Sequence, residues 1–268
     1  MTDRGRYLLD NKQAEAGQRF DALSVLFNPS TFRHLERLGI SPGWQVWEVG
    51  AGGPSVPAWL ADRVGPGGCV LATDIDTSWL GVGSEGSYHV LRHDAGTEPA
   101  PAGGFDLVHA RLVMVHVPER EQAMESMIRA LRPGGWLLLE EADPGLQELA
   151  CPDEWGAGQL LANKLKRAFR VLLAERGADL AFGRTLSRKL RQGGLAGVQS
   201  DAYFPMGGPA CSELERATIE QIRDDLVTRG LATDAEIGQH LANVASGQLD
   251  LATSPMVSAW GQRRPSTP

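Results

Sequence analysis

Cysteine is scarce in this chain of 268 residues, and its distribution excludes two kinds of structural support. The three cysteines are Cys69, Cys151 and Cys211, which are odd in number and widely separated. A disulfide framework needs paired cysteines, and a structural zinc site needs them at short spacings. The pattern predicts neither of these supports, and it is typical of a protein of the reducing cytoplasm.

Positive charge is also in short supply, with 26 Lys and Arg against 33 Asp and Glu and a formal net charge of −7. A general nucleic-acid binder needs clustered basic side chains for its phosphate contacts. The one notable basic run, at 164–170, falls in a predicted helix and is interpreted as a solvated face rather than a nucleic-acid patch. We therefore expect no nucleic-acid partner.

Long apolar runs are missing as well. No stretch is long enough to span a bilayer as a helix, and the first twenty residues carry charges throughout, so we expect no signal peptide. There is also no internal repeat. We therefore expect a cytoplasmic protein with no membrane partner, built as one large domain or as one domain with a cap.

Two buried strands, a glycine-rich turn and a helix are predicted early in the chain. Residues 45–49 and 69–73 are short, apolar and β-prone, and the second run is followed by Asp74. The glycines within 50–53 remove bulk where the backbone must turn sharply, and 56–64 carries apolar residues at helical spacing. A strand–turn–helix–strand unit of this kind is half of a nucleotide-binding sheet, whose ligand lies at the carboxyl ends of the strands.

The glycine spacing argues against a dinucleotide ligand. The fingerprint G-x-G-x-x-G requires glycine where this chain has Ser55. Pro54 and Pro57 fit only the first turn of a helix, where backbone N–H groups have no intrahelical partner. Glu48 before the glycines and Asp74 after the second strand suit a ligand with ribose hydroxyls but no pyrophosphate. A plain NAD-binding module is therefore the weakest interpretation.

On these residues the chain resembles the class I S-adenosylmethionine-dependent methyltransferases, in their small-molecule (natural-product) branch. Their first motif, acid-x-Gly-x-Gly, is matched by Glu48, Gly50 and Gly52, and their ribose-binding acid by Asp74. Pro54 is a departure, because many members have a third glycine there and proline removes an N–H group. The resemblance implies S-adenosyl-L-methionine as cofactor and S-adenosyl-L-homocysteine as product.

The resemblance continues beyond the glycine turn through further predicted strands at 88–92, 105–110 and 136–140. The phrase LRPGGWLLLEE closely resembles the stretch that enters the fifth strand of the family. With strands at 198–204 and 256–262, the resemblance implies an α/β fold. This fold is a Rossmann-like, doubly wound sheet of seven strands, the last one antiparallel, with an added helical lid.

Three additions surround the predicted core, and we expect them to decide substrate choice. An N-terminal helical cap covers 1–40 and is predicted as two helices broken near Asn28 and Pro29. Residues 145–178 and 207–253 are predicted as helical lid or substrate insertions. The cofactor-binding core is predicted to comprise 41–144, 179–206 and 254–264.

The resemblance assigns cofactor contacts to the cap and to the strand ends. It places Asp74 on the ribose hydroxyls, Asp94 on the adenine amino group, and Glu48 toward the methionine side or the ribose region. On the cap it places Tyr7 on the bound ligand and Arg19 near the methionine carboxylate, although simple packing of the cap on the sheet edge is an equal interpretation. The predicted cofactor-binding set is Tyr7, Arg19, Glu48, Gly50, Ala51, Gly52, Asp74, Ile75, Asp94, Ala95 and Arg111.

Catalysis at a hydroxyl would benefit from a general base, and His116 is the candidate. It stands on the active-site side of strand four; a structural or substrate-orienting role is the alternative. His109, within the strand, is predicted to be a packed or hydrogen-bonded core residue. Glu140 and Glu141 end strand five and are candidates to contact an acceptor or a metal. We expect no metal, because the histidines show no H-x-x-x-H spacing and no acidic magnesium cluster is evident.

The sequence therefore predicts a metal-independent methyltransferase acting on a small organic molecule, most simply at oxygen. One alternative is a protein of the same fold that binds S-adenosylmethionine in a non-methylating role, such as a cyclase or decarboxylase. A protein or RNA methyltransferase is another, disfavoured by the acidic charge and by helical insertions that would enclose a small ligand. The acceptor is not indicated, and a homodimer stays open because N-terminal helical pairs can pack between subunits in relatives.

Overall fold

The computed structural model describes residues 8–9, 15–81 and 87–265. They divide into two compact units. The sheet unit consists of Pro29–Ala142, Phe182–Ala202 and the described residues from Met256 onward. The helical unit consists of the described residues up to Asn28, Asp143–Ala181 and Tyr203–Pro255.

Seven strands form one sheet. They are β1 (Gln45–Val49), β2 (Cys69–Asp74), β3 (His89–Arg92), β4 (Phe105–Arg111), β5 (Leu131–Ala142), β6 (Ala196–Tyr203) and β7 (Met256–Gln262). Their order across the sheet is β3-β2-β1-β4-β5-β7-β6. Neighbours from β3 to β5 pair in parallel, and β7 runs antiparallel to β5. The predicted Rossmann-like sheet with an antiparallel last strand is confirmed.

The helices alternate with these strands and extend between them. They are α1 (Glu15–Arg37), α2 (Ser55–Val64), α3 (Arg120–Ala130), α4 (Ala157–Glu175), α5 (Leu186–Gln192), α6 (Pro209–Gln221), α7 (Arg223–Thr228) and α8 (Asp234–Ala245). A short 3-10 turn at Gly183–Thr185 precedes α5. No helix in the described ranges is both long enough and apolar enough to cross a membrane.

The central strands β1 and β4 are buried on both faces of the sheet, to which consecutive strand residues point in turn. Val46 and Leu107 belong to a core cluster that includes apolar residues of α2 and the end of α1. Trp47 and Val108, the next residues along, belong to a second cluster with α3 and α5. Burial on both faces explains why β1 and β4 are almost continuously apolar, and it makes the ionisable residues within them conspicuous.

The first helix corrects one prediction. α1 runs without interruption through Pro29, so the predicted break near Asn28 and Pro29 is wrong. Proline has no N–H group, which leaves the carbonyl of Val25 without its helical donor. Val25 is 67% exposed, so this side of the helix is open to water that can hydrogen-bond the freed carbonyl.

The helical unit has an apolar core of its own. α4 lies within the helical insertion predicted at 145–178 and packs with α7 and α8, which also contact α6. α8 begins with a capping box in which Thr233 and Glu236 each accept a hydrogen bond from the other's backbone N–H. The core cluster includes Leu165, Leu172, Ile219, Leu226 and Ile237.

Candidate active site

The carboxyl end of β1 places a buried acid next to a tight glycine turn. Glu48 is the penultimate residue of β1, and its side chain is buried. Gly50 follows with φ of +62°, a conformation that other residues rarely adopt. A Cβ atom at Gly50 would lie 2.3 Å from Cγ2 of Val113, in the loop after β4. Glycine is therefore required here both by its backbone angle and by the closeness of the neighbouring loop.

Asp74 ends β2, and its carboxylate holds the same turn. Its Oδ2 accepts a hydrogen bond from the N–H of Gly52 at 2.9 Å, and Oδ1 accepts one from the N–H of Asp76 at 2.9 Å. Burial raises the pKa of Asp74, and these backbone N–H groups offset part of that effect. The N–H of Ile75 also acts on this carboxylate, which has about four lone pairs in all, so the group can still accept a hydrogen bond from a ligand hydroxyl.

The start of α2 lacks N–H groups that a pyrophosphate would use. Pro54 lies at the N-cap with φ of −77° and ψ of −15°, and its carbonyl accepts a hydrogen bond from the N–H of Ala58 at 2.9 Å. Pro57 occupies the first turn. Because phosphate binding at a helix N-terminus depends on such N–H groups, this geometry agrees with the exclusion of a dinucleotide.

Asp94 and Ile75 follow the ends of β3 and β2. Oδ1 of Asp94 accepts a hydrogen bond from the N–H of Gly96 at 2.9 Å, which fixes the turn after β3. Ile75 comes directly after Asp74 and is 54% exposed. Ile75 stands between Asp74 and Asp76 in the chain. An exposed apolar side chain next to acids offers the mixture of apolar surface and a few polar groups that is typical of ligand sites.

A strained turn follows β4. Leu112 has φ of +59°, a conformation that costs about 1–3 kcal/mol for a residue with a bulky side chain. Its N–H donates to the carbonyl of Glu140 at 2.8 Å. Oε1 of Glu141 accepts the N–H groups of Val113 at 3.0 Å and Met114 at 2.6 Å. The end of β5 therefore holds the turn in its strained shape.

The candidate base lies in this turn. His116 is half-buried, and its N–H donates to the carbonyl of Val113 at 3.0 Å. It follows the carboxyl end of β4, which is where the sequence places it. Its role as a base stays a prediction.

A buried polar network connects three strands behind the turn. Nδ1 of His109 lies 2.6 Å from Oε2 of Glu48, and Nε2 lies 3.3 Å from Oε2 of Glu140. The prediction that His109 is a hydrogen-bonded core residue is confirmed. Glu140 and Glu141 are both fully buried and hydrogen-bonded within the sheet unit, and their contact with an acceptor or a metal stays a prediction.

Proximity of opposite charges shifts the pKa values of this network. Burial by itself would lower the pKa of His109, but the charge of Glu48 and hydrogen bonds to both carboxylates raise it to about 9. Burial by itself would raise the pKa of Glu140, but hydrogen bonds from His109 and His34 hold it well below its usual range. His109 is therefore an imidazolium between two carboxylates at neutral pH.

Sequence reasoning did not find this network as a unit. The available signal was the presence of Glu48, His109 and Glu140 inside otherwise apolar strands that are buried on both faces. Buried ionisable groups need partners, so three of them in adjacent strands of one sheet predict mutual contact.

Most of the predicted cofactor set lies in the sheet unit, at or just beyond the carboxyl ends of the strands: Glu48, Gly50, Ala51, Gly52, Asp74, Ile75, Asp94, Ala95 and Arg111. Nη1 of Arg111 donates to Oγ1 of Thr31 at 3.0 Å, and burial lowers the pKa of this guanidinium. Arg19 is buried in the part of α1 that belongs to the helical unit, with its guanidinium carbon 4.9 Å from the ring centroid of Phe20. Tyr7 lies outside the described residues. The cofactor contacts of the whole set stay predictions.

Metal ligands are not gathered anywhere in the part of the chain that the structure describes. No group of three or more His, Cys, Asp or Glu residues there is arranged to hold a metal ion.

Part of the chain is similar to known methyltransferases. A family described as "Methyltransferase domain" matches residues 47–139, which run from β1 into β5. The ubiquinone/menaquinone biosynthesis C-methyltransferase UbiE of Ectopseudomonas mendocina is 35% identical over 125 residues, which is 43% of this chain and 49% of the relative. Methyltransferase GfsG of Streptomyces halstedii is 34% identical over 134 residues, which is 48% of this chain and 45% of the relative. The chain thus spans about half the length of the curated relatives it matches.

A solved structure shares the fold at low sequence identity. The phosphoethanolamine N-methyltransferase 2 of Haemonchus contortus, in complex with phosphomonomethylethanolamine and S-adenosylhomocysteine, aligns with a TM-score of 0.57 and 16% identity. The alignment covers 97% of this chain and 59% of that protein. Residues 47–139 thus match the methyltransferase domain family, and the chain shares its fold with a methyltransferase solved with S-adenosylhomocysteine.

Proposed function

We propose that this protein transfers the methyl group of S-adenosyl-L-methionine to a small organic acceptor and releases S-adenosyl-L-homocysteine. One observation carries the proposal. On the adjacent strands β1 and β2, Glu48 leads into the Gly50 turn, and the carboxylate of Asp74 holds that turn through Gly52. Two acids and a glycine-rich turn therefore lie at the carboxyl ends of the strands, where ligands of open α/β sheets bind.

Each acid has a proposed partner on the cofactor. Asp74 accepts hydrogen bonding from the ribose hydroxyls, and Asp94 accepts a hydrogen bond from the adenine amino group. Ile75 and Ala95 supply apolar contact to the adenine ring. Glu48 faces the methionine end, where its charge attracts the ammonium group. Arg111, Arg19 and Tyr7 are proposed as further contacts.

The chemistry needs little from the protein beyond placement. When bound, S-adenosyl-L-methionine supplies an electrophilic methyl group on a sulfonium. The residues at the carboxyl ends of the strands hold the cofactor so that an acceptor atom approaches the methyl carbon in line with its bond to sulfur. Holding both reactants in contact geometry can supply roughly 7–11 kcal/mol of the barrier.

Calorimetry with S-adenosyl-L-homocysteine tests the cofactor assignment. The protein is expected to bind it, and Asp74→Ala is expected to weaken binding by about 1–3 kcal/mol, because buried polar partners are left unpaired. Asp62→Ala is the matched control, since Asp62 is exposed on α2, and it is expected to bind as the parent does. Absence of binding by the parent protein would overturn the proposed function, and an unchanged affinity of Asp74→Ala would show that the ribose acid is misassigned.

His116 is proposed as the base that takes the proton of an acceptor hydroxyl. His116→Ala is expected to slow transfer to such an acceptor by about 10²- to 10⁴-fold while cofactor affinity stays the same. The assay follows labelled methyl transfer to a panel of small phenols and carboxylic acids. A rate equal to that of the parent would assign His116 an orienting or structural role instead.

The acceptor atom is proposed to be oxygen, with carbon as the second candidate. Carbon is favoured by one observation, that the relative UbiE is named a C-methyltransferase. A methyl group labelled with ¹³C distinguishes the two, because methyl carbons attached to oxygen and to carbon resonate in separate regions of the spectrum.

Choice of the acceptor is proposed to reside outside the residues shared with the family. The family match ends at residue 139, before the segments 145–178 and 207–253. We propose that these segments act as substrate insertions and residues 1–40 as a cap, on a core of 41–144, 179–206 and 254–264. Exchange of 207–253 with a relative's segment is expected to change acceptor preference and leave S-adenosyl-L-homocysteine affinity unchanged. A chimera that keeps the parent's acceptor would contradict this assignment.

A further inference from the structure

His109 occupies an unusual position for a strand residue in the centre of a sheet. It lies on β4 between β1 and β5, directly opposite Glu48 in the strand register. Its two ring nitrogens each meet a carboxylate, Glu48 at 2.6 Å and Glu140 at 3.3 Å. All three side chains are at most 3% exposed. Solvent therefore plays little part in holding the Glu48 carboxylate.

The two contacts define the charge of the ring. A neutral imidazole has one N–H donor, so its other nitrogen would turn a lone pair toward a carboxylate oxygen. Only the imidazolium donates to both sides. The groups that face His109 are Glu48 from β1 and Glu140 from β5, and both carboxylates also interact with the cation Arg111 of β4. Two carboxylates outweigh one neighbouring cation, which favours the protonated ring.

Glu140 extends the network to other elements. Its Oε1 accepts from Oγ of Ser258 at 2.6 Å and lies 3.2 Å from Nδ1 of His34. Its Oε2 accepts from the hydroxyl of Thr31 in addition to His109. These four donors match the number of lone pairs on a carboxylate, so Glu140 has no capacity left for a ligand.

The far end of the network reaches the surface. Nε2 of His34 lies 2.9 Å from Oδ1 of Asp201, whose side chain is 36% exposed. The carboxylates Glu48, Glu140 and Asp201 are thus interleaved with His109 and His34, and Arg111 adds a guanidinium through Thr31. Removal of one member leaves a charge in the interior without compensation, which is far more costly than loss of an exposed pair.

We propose that His109 is the positioning residue for Glu48. It holds the Glu48 carboxylate through one oxygen and leaves the other oxygen directed at the methionine end of the cofactor. Glu140 anchors the opposite side of the ring, so that the cofactor-site acid is fixed by α1, β5 and β7 as well as by its own strand. The inference rests on the proposed function, because it takes Glu48 to be a cofactor contact.

Two ligands distinguish a positioning role of His109 from a general disturbance of the binding site. S-adenosyl-L-homocysteine carries the methionine-derived end, and 5′-methylthioadenosine keeps the adenosine but lacks the amino and carboxyl groups. His109→Gln is expected to weaken binding of the first by about ten- to a hundredfold, the effect of losing a hydrogen bond to a charged group, and to leave binding of the second unchanged. His89→Gln, at an exposed position of β3, is the matched control and is expected to bind both as the parent does.

The outcomes separate the two proposals. If the parent binds neither ligand, the proposed function fails. If the parent binds both and His109→Gln weakens them equally or not at all, the positioning role is overturned while the proposed function stands. In a Glu48→Gln background, His109→Gln is expected to cause no additional loss of S-adenosyl-L-homocysteine affinity, because the side chain it positions no longer carries the charge.

A measurement on the parent protein covers the case in which His109→Gln does not fold. Nitrogen-15 spectra of the imidazole rings at pH 8 are expected to show a histidine protonated on both nitrogens. Spectra in which every histidine is neutral at that pH would overturn the proposal.

Discussion

Oε1 of Glu141 lies 2.6 Å from the backbone nitrogen of Met114 and accepts its hydrogen bond. This contact joins the end of β5 to the turn that carries the strained Leu112 and the candidate base His116. Oε2 of the same carboxylate has no hydrogen-bond partner among the described residues. Burial raises the pKa of Glu141 to about 7, although the backbone N–H groups of the turn act in the opposite direction. Glu141 thus supports the turn, although burial of its carboxylate is unfavourable in free energy.

Glu141→Ala is expected to lower the free energy of unfolding by about 1–3 kcal/mol, because the buried N–H of Met114 and the partly buried N–H of Val113 lose their acceptor. Denaturant unfolding measures the change. The matched control is Glu125→Ala on the exposed face of α3, where the effect is expected to stay within about 0.5 kcal/mol.

The same residue predicts a pH dependence with a definite sign. Because the folded protein binds the Glu141 proton more tightly than the unfolded chain does, stability from this group is complete below pH 4.5 and is lost as the pH rises through about 7. Glu141→Gln is expected to remove that decline. A decline of equal size in the variant would contradict the assignment.

The raised pKa of His109 predicts a second decline in stability at higher pH. Its folded pKa of about 9 exceeds the ordinary value of 6.5, so its stabilising contribution is complete below pH 6.5 and is lost as the pH rises through about 9. Each pKa unit of this difference is worth about 1.4 kcal/mol. The pKa of His34 is also raised, since hydrogen bonds to Glu140 and Asp201 outweigh the effect of burial, and its contribution has the same sign. Unfolding followed from pH 6.5 to 10 is expected to show the decline, and His109→Gln is expected to flatten it.

Pro54 is expected to support stability rather than cofactor binding. Its φ of −77° is one that proline adopts without strain, and its carbonyl starts the hydrogen bonding of α2. Pro54→Gly is expected to lower the free energy of unfolding by about 0.4–1 kcal/mol, because the unfolded chain gains freedom. Affinity for S-adenosyl-L-homocysteine is expected to stay the same. A large change in that affinity would show that the restored N–H group or a shifted helix start reaches the ligand.

Much of the fold was predictable from local pattern. The runs that became β1, β2, β4 and β7 are short and apolar, and glycine or proline lies close to most of their ends. The prediction of a helix break at Pro29 was wrong because water can hydrogen-bond the carbonyl that proline leaves without a donor. Asp74 was predictable at the end of β2 because it directly follows an apolar run, whereas its hydrogen bond to Gly52 depends on how the chain folds.

Residue types at short spacings are sufficient to predict the central strands, the glycine turn at Gly50 and the acids at the strand ends. Which buried charges meet depends on the folded chain. His109 pairs with Glu48 across 61 positions and with Glu140 across 31, and Glu140 meets His34 across 106. Such contacts arise when strands distant in sequence become neighbours in the sheet and water is excluded from between them. No spacing within a single segment encodes that arrangement.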